Sequence, residues 1–127
     1  MISKLPAPAI GTIQHFAEQM GTSAYEAPDG SFSFVFSESG RLTIAAADDN
    51  YIAVTLTSPL LFEDLEGIAL LLPMGGFRPE LDHVVHVGLN KAGQGVLAVK
   101  AESTDFDLPF LERSMSVLSS SFATIPQ

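Results

Sequence analysis

Cysteine is absent from the 127-residue chain. That excludes a disulfide scaffold, thiolate zinc sites and thiol catalysis, and it fits a reducing compartment. Basic residues are scarce: six Lys and Arg stand against fifteen Asp and Glu, a net charge of −9. The six, Lys4, Arg41, Arg78, Lys91, Lys100 and Arg113, are scattered singly. Phosphate binding needs a basic patch to release counterions, so nucleic acid is not an expected partner. No stretch approaches the eighteen or so consecutive apolar residues of a membrane span, and the N-terminal MISKLPAPAIGTI lacks the long apolar region of a secretory signal. A soluble cytoplasmic protein without membrane insertion is therefore expected. What the chain does have is apolar mass, 46% of its residues, on an acidic background. Such a protein resists self-aggregation by charge while keeping surface that can hold apolar segments.

The length predicts one domain, residues 1–127, with a core that needs no disulfide or metal. Residues 1–9, with Pro6 and Pro8, read as an arm. Ile10, Ile13, Phe16, Ala17 and Met20 then recur at helical spacing, closed by Gly21. Three alternating segments follow, Ser31 to Ser37, Arg41 to Ala46 and Tyr51 to Thr57, joined by short turn-forming connections that predict an antiparallel meander. Phe77 to Asp82 reads as a linker. His83 to Leu89 and Val96 to Ala101 predict a second hairpin around NKAGQG, with Gly93 and Gly95 at positive φ. Asp107 can cap a last helix with the stripe Leu111, Met115, Leu118 and Phe122.

Between the two sheet segments lies SPLLFEDLEGIALLLPMGG, Ser58 to Gly76. Ser58 as N-cap, Pro59 at the first helical position and Pro73 with Gly75-Gly76 as stop predict about four helical turns. Leu61, Leu65, Ile68 and Leu72 form one stripe, while Phe62, Ala69, Leu70 and Leu71 widen the apolar arc to the other side. A helix apolar on two sides needs two partners: either it lies wholly in the core under a sheet, or its second side meets another copy of the chain. The fold class is α+β, in the order α-β-β-β-α-β-β-α, a twisted antiparallel sheet with helices packed against it.

No constellation of catalytic residues emerges. His83 and His86, beside Asp82, are three apart on a strand and so point to opposite faces, which keeps them from sharing a metal. His15 has no local carboxylate to orient it. Glu63, Asp64 and Glu66 are explained by the positive end of a helix dipole rather than as an acid and base pair. Asp48-Asp49-Asn50 lacks the closing glutamate of a calcium loop. Serines 119 to 121 have no nucleophile elbow, and no phosphate-cradling glycine motif occurs. Neither enzymatic activity nor a cofactor is expected.

The leucine-rich segment SPLLFEDLEGIALLLP and the tail VGLNKAGQGVLAVKAESTDFDLPFLERSMSVLSSSF carry a resemblance. Together with element order, size and acidity from Ile10 to Phe122, they make the chain similar to the class I chaperones of bacterial type III secretion, related to the Tir chaperone. The resemblance implies a homodimer in the bacterial cytoplasm, with Leu61, Phe62, Leu65, Ile68, Leu71 and Leu72 at its interface. It also implies a virulence role: binding the N-terminal region of a secreted effector as an extended chain and delivering it to the secretion ATPase. Ile13, Phe16 and Met20, with Phe34 and Phe36, are the expected effector-binding residues. The alternatives are a chaperone-like regulatory domain with no export role, or a ligand-binding domain in which Asp82, His83 and His86 would line a pocket.

Overall fold

The computed structural model describes residues 5–48 and 50–125. Seven antiparallel strands form one sheet: β1 (Tyr25–Glu26), β2 (Phe32–Phe36), β3 (Gly40–Ala46), β4 (Tyr51–Leu61), β5 (Gly76–Arg78), β6 (His83–Leu89) and β7 (Gln94–Glu102), in the spatial order β1-β2-β3-β4-β7-β6-β5. Three helices join them: α1 (Ala7–Met20), α2 (Leu65–Leu71) and α3 (Leu108–Ala123). The α+β class, the meander and the second hairpin stand as the sequence predicts. The two short outer strands, β1 and β5, were not expected.

Alternation places the core. Phe32 and Phe34 of β2, Leu42 and Ile44 of β3, Ile52, Val54 and Leu56 of β4, and Leu97, Val99 and Ala101 of β7 all point to one face and are buried. The registers Phe34 with Leu42, Leu42 with Leu56, and Leu56 with Leu97 carry that face across four strands. The helices cover it. From α1 come Ala9, Ile13, Phe16 and Ala17, and from α3 come Phe110, Leu111, Val117, Leu118 and Phe122. Each fully buried side chain of this size contributes about 1.5–3 kcal/mol against leaving it in water. The ring of Phe16 meets that of Phe34 edge-on at 5.4 Å.

The ends of these helices follow local chemistry. Gly21 sits at φ +67 after α1, and Thr22 donates back to the Ala17 carbonyl at 3.0 Å. Asp107 caps α3 by accepting the Phe110 N–H at 2.9 Å, as its position in the sequence predicts. The start of α1 differs: Pro8 lies within the first turn, where its missing N–H costs nothing, so the helix begins at Ala7 and Leu5 is already buried. The expected arm over residues 1–9 is thus shortened, and residues 1–4 lie outside the described ones.

The largest correction concerns Ser58 to Gly76. Instead of four helical turns, β4 runs on to Leu61, α2 spans only Leu65–Leu71, and a single 3-10 turn covers Leu72–Met74. Strand pairing wins over the Ser-Pro start signal, because β4 lies between β3 and β7 and keeps its partners through Thr57, then again at Leu61 opposite Gln94. Pro59 falls in the irregular stretch between those two pairs, where a missing N–H breaks no ladder bond. Ser58 caps nothing helical; its hydroxyl accepts the Leu60 N–H at 3.0 Å. The true cap is Asp64, which accepts the Gly67 N–H at 2.7 Å.

Gly95 is corrected as well. It is not among the glycines at positive φ, unlike Gly93 at +87. It lies in β7, and the position takes glycine because a side chain there would strike the Phe62 ring and the Leu71 methyl that roof it. The expected linker Phe77 to Asp82 contains part of β5 and a turn in which Leu81 and Asp82 donate to the Arg78 carbonyl at 3.0 and 2.9 Å.

Candidate functional site

The helix α2 is fastened to the sheet on one side only. Phe62 donates its N–H to the Gly93 carbonyl at 2.8 Å, and the side chains of Phe62 and Leu71 close over Gly95, both buried. Met74 follows them inward, and Gly75 passes so close to Val87 and the Val85 carbonyl that a larger residue would not fit. On the other side none of the described residues covers Leu61, Leu65 and Leu72. Leu65 is 85% exposed, Leu72 60% and Leu61 55%, while Ile68 is half-buried. The sequence reading of a two-sided apolar segment is therefore met, though by a strand end, a short helix and a 3-10 turn instead of one cylinder. Of the six expected interface residues, Phe62 and Leu71 are withdrawn to the core of the single chain; Leu61, Leu65, Ile68 and Leu72 remain available.

The exposure is concentrated. Among the described residues eleven large apolar side chains are exposed, and seven of them, Leu61, Leu65, Leu70, Leu72, Phe77, Val84 and Leu89, fall between residues 61 and 89. Single exposed leucines need no explanation; Leu61, Leu65, Leu70 and Leu72 form a run of exposed apolar side chains around α2, whereas Phe77 and Val84, paired across β5 and β6, lie on the sheet face opposite buried Val85. Glu63, Asp64 and Glu66 edge the patch, and Asp64 is committed to its cap. Between the start of this stretch and the end of α3 runs a groove of about 390 Å³ lined by Leu70, Pro73, Met74, Arg78, Ser120, Ser121 and Thr124. Its guanidinium is occupied: Arg78 donates to Ser121 Oγ at 2.9 Å and to Glu80 Oε2 at 3.0 Å. Glu80's own backbone N–H and then Arg78 hold the Glu80 carboxyl below its ordinary range.

The five expected effector-binding residues separate into two groups. Ile13, Phe16 and Phe34 are buried between α1 and the sheet, so no partner reaches them in the folded chain. Their helical and alternating spacing is explained by the core. Met20, at the end of α1, is exposed, and Phe36, at the end of β2, is half-buried and stacks on Phe34 at 6.3 Å. Sequence reasoning missed Val35, which is 73% exposed on an outer strand. The signal was present in the alternation, since Val35 must point away from Phe34 and Phe36. Because β1 pairs only with Phe32 and Ser33, the rest of β2 has no strand on its outer side among the described residues.

The polar candidates do not converge. His83 Nδ1 lies 2.7 Å from the Leu81 carbonyl and its ring packs on Phe110, while His86 is exposed on the opposite face. Among the described residues no group of three or more potential ligands is placed to hold a metal ion. Asp48 belongs to a turn in which its carbonyl accepts the Tyr51 N–H at 2.8 Å, and Asp49 lies outside the described residues. Asp29 has its carboxyl held below the ordinary range by the Ser31 hydroxyl and N–H, at 2.7 and 2.9 Å. That is a turn, not a site.

No family model matches the sequence, and no curated protein matches it. Solved structures do. The type III secretion chaperone SycH of Yersinia pestis, crystallised with a stable fragment of YscM2, superposes with a TM-score of 0.64 at 13% identity, over 91% of this chain and 98% of that one. The ExoU–SpcU complex of the type III secretion system of Pseudomonas aeruginosa gives 0.61 at 19%, over 88% and 93%. The ExsC–ExsE complex gives 0.70 at 15%, over 93% and 90%. The chain has the secretion-chaperone fold. Within that fold α2 carries the exposed leucines and β1 with β2 forms one margin of the sheet. No helix among the described residues is long and apolar enough to cross a membrane.

Proposed function

We propose that this protein is a type III secretion chaperone. It is a homodimer of the bacterial cytoplasm that binds the N-terminal region of a secreted effector as an extended chain. It keeps that region soluble and secretion-competent and passes it to the export apparatus, including the secretion ATPase. It uses no cofactor and performs no covalent chemistry. The observation that carries the reading is the uncovered leucine patch around α2 on a secretion-chaperone fold. Leu61, Leu65, Ile68 and Leu72 supply the dimer contact. An isologous interface of that kind turns an exposed apolar surface of one copy into a buried core of two.

Client binding uses what the core leaves accessible: Met20, Phe36, Val35 and the free outer side of β2, where an extended segment can add a strand by β-augmentation. The three similar solved structures are described with YscM2, ExoU and ExsE, and this supports a protein client. The test is genetic and biochemical. Deletion should abolish secretion of one or a few effectors, and co-expression should recover an N-terminal effector segment with the chain. Unchanged secretion of every effector would contradict the proposal.

A further inference from the structure

We propose that a groove on the free face of the sheet, lined in part by Val35, Arg41, Thr57, Pro59, Asn90 and Gln94, holds an acidic side chain of an extended peptide. That such a peptide belongs to a client rests on the chaperone reading; the chemistry of the groove does not. The strand registers build it. Val35 lies opposite Arg41, and Arg41 opposite Thr57, so all three project from the face the helices do not cover. The groove has a volume of about 420 Å³ and no carboxylate in its lining.

That absence is informative in a chain of net charge −9. The other guanidinium beside a groove, Arg78, is already bound by Glu80, and on the free face Lys100 lies 3.8 Å from Asp48. Arg41 is exposed and makes no ion pair among the described residues. Its near neighbour in sequence, Glu38, lines an adjoining groove with Ser58 and Phe122, the two grooves sharing Pro59. A guanidinium takes a carboxylate through two parallel hydrogen bonds, a match that lysine lacks. The rest of the lining suits an extended chain. Val35 and Pro59 offer apolar walls. The Asn90 amide is fixed by bonds to the Ala92 and Gln94 backbone N–H groups and the Gln94 side-chain oxygen, and among the described residues no bond occupies the Gln94 amide hydrogens. The unpaired outer side of β2 lies beside it.

The experiment is an NMR titration of the labelled protein with two capped peptides, Ser-Val-Thr-Glu-Val-Thr-Ser and the same peptide with Gln in place of Glu. The glutamate peptide should move the amide resonances of Val35, Arg41 and Thr57 and bind at least about fivefold tighter than the glutamine peptide, a modest share of a charge-assisted pair. Arg41→Gln should erase the difference, and Arg41→Lys should restore part of it. Equal binding of the two peptides, shifts confined to another surface, or no binding at millimolar peptide would overturn the inference. A change in solution mass on Arg41→Gln would also overturn it, by assigning the groove to a second copy. An effector segment that binds wild type and Arg41→Gln alike removes the groove's role and leaves the chaperone reading standing. Glutamate-selective binding in a protein that takes no effector segment does the reverse.

Discussion

Two parts of this molecule treat their apolar residues in opposite ways. The long helices α1 and α3 turn their stripes into the core: Ile13, Phe16, Leu111, Leu118 and Phe122 are all buried. The stretch from Leu61 to Met74 buries Phe62, Leu71 and Met74 and leaves Leu61, Leu65 and Leu72 to solvent. Apolar content alone does not separate the two: α1 draws on Ile, Ala and Phe, α3 on Leu, Val and Phe, and the stretch chiefly on Leu, and all are rich in apolar residues. What separates them is supply of sheet surface. The covered face of β2, β3, β4 and β7 is filled by α1 and α3, and the stretch around α2 meets the ends of β6 and β7, with Phe62 and Leu71 over Gly95 and Gly75 against Val87. Apolar residues beyond that supply remain outside, where a second chain can cover them.

The contrast can be broken most severely on the sealed side. Phe16→Ala removes a ring packed on Phe34 and should cost about 3–5 kcal/mol, read as a lower urea midpoint with unchanged slope. At the hinge between the two regions, Gly95→Ala forces a methyl against Phe62 and Leu71. A loss of about 1–3 kcal/mol is expected, with faster amide exchange in α2 than in α3 as the more telling readout. Ser114 sharpens the comparison from the other direction. It is fully buried in α3 and its hydroxyl has no partner among the described residues, so Ser114→Ala should stabilise the chain by about 1 kcal/mol in the same unfolding assay.

The smallest effect is one of pH. Asp29 is held below its ordinary value by Ser31, so its share of stability is present above the unfolded-state pKa near 3.8 and is lost as pH falls through the lower folded value. Asp29→Asn should flatten only that acid limb of the stability profile. A change near neutral pH would contradict the assignment.

The sequence made the sheet legible because its strands alternate cleanly and their turns are short. It made the last helix legible because Asp107 and the stripe from Leu111 to Phe122 agree with each other. Local signals misled at Ser58-Pro59, where a good helix start coincides with a strand that two neighbours already hold. Spacing also could not separate a client surface from a core: Ile13, Phe16 and Phe34 have the pattern of either, and only the packing of α1 onto β2 decides. The outer strands β1 and β5 are two and three residues long, too short for any periodicity. In the leucine stretch the apolar surplus was readable and the partition was not, because which leucines turn inward depends on Gly95 and Val87 in strands some twenty residues away.

The central claim is that the leucines left outside are covered by a second copy. Sedimentation equilibrium at micromolar concentration, on wild type and Leu65→Asp, tests it most directly. Leu65 is almost wholly exposed, so the substitution should leave the fold and its unfolding midpoint nearly unchanged in the single chain. The account predicts twice the 13.5 kDa chain mass for wild type and the single-chain mass for the variant. A wild-type particle of single-chain mass, or a dimer indifferent to Leu65→Asp, would contradict it.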